Sequence, residues 1–95
     1  MEFTYDFEAN ALYVYLQENT KKVSLTHEIN DGVHVDLDAN GQVLGIEILS
    51  PGQQEWPVYQ IINAYGPVMS MSQIASFVML ATRYQLFDFR VTQAP

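Results

Sequence analysis

The first half of this chain alternates apolar and polar residues with a period of two, and that period leaves little choice of fold. Over Asp31–Leu49, DGVHVDLDANGQVLGIEIL, Val33, Val35 and Leu37 alternate with His34, Asp36 and Asp38, while Leu44, Ile46 and Ile48 alternate with Gly45 and Glu47. Alternation of this kind sends every second side chain to one face of a strand. Two such runs around Asp38-Ala39-Asn40-Gly41 predict a β-hairpin. The two apolar sets must share a face, because a one-residue slip would send one of them to the other side. A two-residue Asn40-Gly41 loop meets this condition, pairing Leu37 with Leu44, Val35 with Ile46 and Val33 with Ile48. A four-residue loop over 38–41 also meets it; a three-residue loop fails, because it sets Val33 opposite Glu47.

The same segment matches a calcium-loop pattern. Asp36, Asp38, Asn40, Gly41 and Glu47 satisfy D-x-[DN]-x-[DN]-G-x5-E. Such a loop gathers oxygens around a hard cation, but it works between two helices. Both flanks here read as strands, so the hairpin is the expectation.

The alternation extends upstream. Phe3, Tyr5 and Phe7 alternate with Glu2, Thr4, Asp6 and Glu8; Leu12, Val14 and Leu16 alternate with Tyr13, Tyr15 and Gln17. Val23, Leu25 and Ile29 form a third apolar set, with His27 among them as a core or edge histidine. To share a face with Val33 they need a three-residue loop, Asn30-Asp31-Gly32, with Gly32 in the left-handed region. A five-stranded antiparallel β-meander follows, over roughly 2–8, 11–17, 23–30, 33–38 and 42–49.

These residues also carry a resemblance. Tyr5-Asp6, Ala11-Leu12-Tyr13-Val14, Asp31-Gly32-Val33 through Asp36, then Gly41 and Gly45-Ile46-Glu47-Ile48-Leu49 resemble a family of very small bacterial proteins known only as a domain of unknown function. The likeness covers residues 5–49. Asn10 departs from it, standing where the family tends to carry Asp, and the apolar C-terminal half lies outside it. The resemblance implies a small β-sheet protein without a known activity. Through relatives encoded beside small toxin-like proteins, it also implies an antitoxin-like role.

The C-terminal half changes period. Ser50-Pro51-Gly52 breaks the chain, and Pro57 stands where a helix can start. Val58, Ile61, Ile62 and Tyr65 then fall at helical spacing before Gly66-Pro67, which predicts a helix over 57–65. Ser70 with Gln73 forms a capping box, and a second helix follows over 71–85. The alternation of Phe87, Phe89 and Val91 adds a short edge strand at 86–91 to the expected fold. The fold class is therefore α+β in a single domain, 1–95: a β-meander over 1–49 and a helical extension over 50–95 that packs on the sheet or at an oligomer interface.

The second helix is apolar on more than one face, through Ile74, Ala75, Phe77, Val78, Met79, Leu80, Ala81 and Tyr84. A helix apolar nearly all round is covered on several sides. One small sheet does not supply that cover, so a homo-oligomer is expected, with a dimer the simplest. Tyr13 and Tyr15 on the sheet, with Ile74, Phe77, Val78 and Leu80 on the helix, are the interface candidates.

The registers bring Glu28, His34 and Glu47 side by side on the polar face, with Asp36 near Glu47. A histidine among carboxylates is a donor set for Zn²⁺ or Mn²⁺, so these four are the metal-site candidates. The competing reading is a solvated face of cross-strand charge pairs.

Charge and composition exclude other classes. The net charge is −7, from eleven acids against four basic residues, Lys21, Lys22, Arg83 and Arg90. So few cations cannot neutralise a phosphate backbone, and nucleic acid is not an expected partner. A basic protein is. There is no cysteine, and no apolar run reaches the ~20 residues of a membrane span. Glu2 and Asp6 speak against a basic-headed signal peptide, and the expected location is cytoplasmic. No Ser-His-Asp order, phosphate-binding loop, dinucleotide glycine pattern or nucleophile elbow is present. The expectation is a non-enzymatic interaction module without a cofactor, the alternative being a metal- or small-ligand-binding module on the His34 face.

Overall fold

The computed structural model describes residues 2–18 and 21–93, with side chains through Tyr84. Five strands come first: β1 (Glu2–Asp6), β2 (Ala11–Tyr15), β3 (Leu25–Asn30), β4 (Val33–Leu37) and β5 (Val43–Leu49). Helix α1 (Val58–Tyr65), a 3₁₀ turn (Gly66–Val68) and helix α2 (Met71–Gln93) follow. This is the expected α+β fold of five antiparallel strands in one sheet and then two helices.

The strand order corrects the plain meander. It is β1-β2-β5-β4-β3, so β2 lies beside β5, and the chain crosses to the far edge before starting β3. The inner rows explain the order. Leu12 and Val14 of β2 are fully buried, as are Ile46 and Ile48 of β5 and Val33 and Val35 of β4. These three aliphatic rows take the centre, where burial contributes most, and the rows of β1 and β3, which carry Tyr5 and His27, take the edges. The inner row of β3 contains His27, and at the edge its Nδ1 reaches the Tyr65 hydroxyl at 2.5 Å.

Both hairpins reach the expected body register by a different turn. In β3–β4, Glu28 faces His34, but Ile29 bulges so that Asn30 faces Val33. The turn shortens to Asp31-Gly32, with Gly32 at φ +81°. In β4–β5, Val33 faces Ile48 and Val35 faces Ile46, but Leu37 faces Val43 rather than Leu44. The turn holds three residues, Ala39-Asn40-Gly41. The Asp38 N–H donates to the Gln42 carbonyl (3.0 Å), the Gly41 N–H donates to the Asp38 carbonyl (3.0 Å), and Gly41 sits at φ +79°. The three-residue loop that parity excludes is the one present, because a bulge between the Asp36 and Leu37 pairs restores the shared face. Asp38 Oδ1 also accepts from the N–H groups of Asn40 (2.8 Å) and Gln42 (2.9 Å), so this carboxylate serves the turn of a hairpin, not a helix-flanked calcium loop.

The two halves share one core. Leu12, Val14, Val35, Ile46 and Ile48 of the sheet pack with Trp56, Ile61, Phe77, Leu80 and Ala81. The Trp56 indole N–H donates to the Pro51 carbonyl (2.9 Å), and its ring stacks on Phe77 and Tyr84. The capping box forms as expected: the Ser70 N–H donates to Gln73 Oε1 (2.8 Å), and the Gln73 N–H donates to Ser70 Oγ (3.0 Å). Gln73 Nε2 also donates to the Leu16 carbonyl (2.7 Å), pinning the start of α2 to the end of β2. The edge strand expected at 86–91 is helix instead, since α2 continues to Gln93. From Met71 to Gln93 there is no Gly or Pro to stop it, and the local alternation does not override a helix already propagating. Among the described residues, no helix is long and apolar enough to cross a membrane.

Candidate functional site

On the face away from the helices, the antiparallel pairings set polar side chains in two cross-strand rows. One row is Thr4, Tyr13, Glu47, His34 and Glu28; the next is Glu2, Tyr15, Gly45, Asp36 and Thr26. His34 stands between two glutamates, as its register predicts. Its Nδ1 lies 3.2 Å from Glu47 Oε1, though not aligned as a hydrogen bond, and its Nε2 lies 3.7 Å from Glu28 Oε2.

Asp36 belongs to a different group. It faces Gly45 on β5 and Thr26 on β3. The Tyr13 hydroxyl donates to its Oδ2 and the Thr26 hydroxyl to its Oδ1, both at 2.6 Å. Gly45 makes this possible, because the Tyr13 ring crosses the space where a side chain would stand. Burial pushes the Tyr13 phenol well above its ordinary pKa; the hydrogen bond to Asp36 and the Asp36 charge push the same way. A neutral phenol donating to an ionised carboxylate is the stable state of this pair.

The four metal candidates therefore divide. Glu28, His34 and Glu47 are neighbours, while Asp36 is held by Tyr13 and Thr26. Among the described residues, no three His, Asp or Glu side chains converge as a metal cage. Such a cage needs ligands free to converge on one point.

The interface candidates divide as well. Tyr13 and Tyr15 sit half-buried on the polar face, ring centroids 4.7 Å apart. Phe77 and Leu80 lie in the chain's own core, and Ile74 packs against it. Val78 is exposed to 36 %. The sheet thus covers more of α2 than its composition suggests.

Reasoning from the sequence misses two features. Thr26 and Gly45 complete the Tyr13–Asp36 unit, and a glycine inside an alternating strand is a signal of close approach. The other is the β1 edge. Phe3 and Tyr5 fall on the helix side of the sheet and stay exposed, and Phe7, in the turn after β1, is exposed to 87 %. Tyr5 and Phe7 pack edge to face (4.8 Å), and the Tyr5 hydroxyl donates to Asn10 Oδ1. Between β1 and α2 lies a groove of about 220 Å³ lined by Phe3, Ser76, Met79, Leu80 and Arg83.

Most residues that carry the family resemblance, and Asn10 that departs from it, have structural posts. Asp6 Oδ1 accepts from the Glu8 and Ala9 N–H groups (2.9 and 3.2 Å) and shapes the first turn. Asn10 Nδ2 donates to Gln53 Oε1 (3.1 Å) and Ser50 Oγ (3.4 Å), tying that turn to the segment after β5. Gly32 and Gly41 supply positive φ, and Gly45 lies under Tyr13.

Neither a curated protein nor a solved structure matches the chain. A family model described as a protein of unknown function, DUF2283, matches residues 2–50, just over half the sequence. That span takes in the whole sheet, its turns and the Tyr13–Asp36 unit, and the chain belongs to the DUF2283 family.

Proposed function

We propose that the protein is a non-enzymatic protein-interaction module whose binding element is the open β1 edge and the apolar surface beside it. The observation that carries this reading is the exposure of Phe3 and Tyr5 on one edge strand, with Phe7 exposed in the turn that follows it. Proteins blunt exposed edges with charge, proline or a covering element, because an open edge pairs readily with another chain. Clustered exposed aromatics mark binding surfaces more often than solvated ones. The test is affinity capture from the native host with the wild type and a Phe3→Ser/Phe7→Ser double variant. Proteins retained by the wild type are lost by the variant, whose circular dichroism is unchanged. Equal retention by both would remove the β1 edge as the binding element.

Self-association is the second reading, and Met71, Val78 and Met79 favour it. These α2 side chains remain exposed, to 81 %, 36 % and 73 %. A dimer in sedimentation equilibrium at micromolar concentration, lost in Met71→Glu/Met79→Glu, supports it. A monomer of 10.8 kDa removes it.

A further inference from the structure

We infer that an extended basic segment of another protein docks on β1 as a sixth strand. Its Lys or Arg side chains face Glu2 and Asp6, and its apolar side chains enter the groove beside Phe3. The inference rests on the interaction-module reading and names the partner for its edge.

The geometry of β1 calls for an extended partner. It ends the sheet, with no strand beyond it among the described residues, so its outer backbone groups are open to a ladder. An added strand presents alternate side chains to two different surfaces. On the helix side it meets Phe3 and the groove lined by Ser76, Met79 and Leu80. Arg83 also lines that groove and disfavours a second cation there. On the other side it meets Glu2, Thr4 and Asp6, both ends of the row acidic. The complement to β1 therefore alternates apolar and cationic residues.

A second copy fits this edge less well. Antiparallel pairing over the whole of β1 sets Glu2 of each chain opposite Asp6 of the other, and like charges directly opposite destabilise a sheet. Registers that avoid this overlap along less of the strand. Two chains each carrying −7 also repel at long range, whereas the same charge draws in a basic segment.

The test is NMR titration of the full chain with short acetylated peptides that alternate lysine–valine, serine–valine or glutamate–valine. The lysine–valine peptide should move the amide signals of Glu2–Asp6 and the methyl signal of Met79, and bind about tenfold more tightly than the serine–valine peptide. Glu2→Lys should weaken it about tenfold, while Asp31→Lys, an equal change of net charge on the β3–β4 turn at the far edge, should change it less than about twofold. Equal weakening by both variants would make the binding a net-charge effect and overturn the inference. So would signal changes confined to other strands. Equal docking of the serine–valine peptide on β1 leaves the open edge standing and removes the basic partner. Shifts that grow with protein concentration alone give the edge to a second copy. If neither peptide nor copy engages β1, this inference and the reading beneath it both fall.

Discussion

The Tyr13 ring occupies the space that a side chain at Gly45 would need: a methyl group built on Gly45 would come within 2.3 Å of Tyr13 Cε1. The missing side chain on β5 lets a phenol on β2 cross to a carboxylate on β4, giving the 2.6 Å bond between the Tyr13 hydroxyl and Asp36. Three strands are thus tied on the face opposite the core.

Gly45→Ala should therefore destabilise the protein, although alanine suits a strand at least as well as glycine. The ring must swing away, giving up its packing and its bond to Asp36, and overpacking of this kind costs about 1–3 kcal/mol. Urea unfolding measures it. In a Tyr13→Ala background the clash is absent, so Gly45→Ala should cost clearly less there. Equal costs in the two backgrounds would show that the ring is not what the methyl meets.

Alkaline unfolding tests the same phenol. Tyr13 titrates above the ordinary tyrosine value of about 10, first because of burial and then because of Asp36. A raised folded pKa means that the unfolded chain loses its proton first. The stability linked to this group is complete below pH ~10 and declines as pH rises from there toward the folded value. Tyr65, raised by burial, acts in the same direction. Melting temperatures between pH 9 and 11.5 should fall with pH in the wild type and less steeply in Tyr13→Phe. Identical slopes would mean that Tyr13 ionises as freely folded as unfolded.

The Asp38 carboxylate makes a third case, because it stands inside a complete calcium-loop pattern while serving the turn. Asp38→Ala removes two bonds to backbone N–H groups and should cost about 1–2 kcal/mol. Millimolar Ca²⁺ should leave the melting temperature of the wild type unchanged, since a ligand bound to the folded state would raise it. A calcium-dependent rise that Asp38→Ala abolishes would show the loop opening to hold the ion.

Local chemistry was readable from the residues, and long-range choice was not. The hairpin registers followed from parity, so the Glu28–His34–Glu47 row is where the sequence puts it. Parity cannot see a bulge, however, and one lies in each of the two C-terminal hairpins, so both turn lengths came out one residue off. Nor does any local pattern specify that β2 pairs with β5 across the sheet order. That choice depends on comparing the apolar content of whole inner rows. Asp36 left the expected metal set because a glycine one strand away admits a tyrosine from two strands away, a relation with no signature in spacing. The extension of α2 over 86–91 is simpler: short alternation competed with a helix that nothing interrupts, and helix propagation won.

Helix α2 shows how far composition can mislead about cover, and it yields the last prediction. Phe77 and Met79 are two residues apart on the same apolar helix, yet Phe77 is fully buried and Met79 is exposed to 73 %. Two residues along a helix turn the side chain through about 200°, so one faces the sheet and the other faces away. Phe77 stacks on Trp56 and meets β-strand side chains in the shared core, so Phe77→Ala should cost about 3–5 kcal/mol. Met79→Ala should change the unfolding free energy by less than about 0.5 kcal/mol at dilute concentration. At higher concentration the two readings of this surface separate. If copies of the chain pair through the α2 flank, wild-type stability rises with protein concentration and the Met79→Ala protein loses part of that rise. If the flank serves a different protein, both melt at the same temperature at every concentration. Thermal unfolding over a hundredfold range of protein concentration decides between them, and a large loss from Met79→Ala under dilute conditions would mean that the side chain is buried after all.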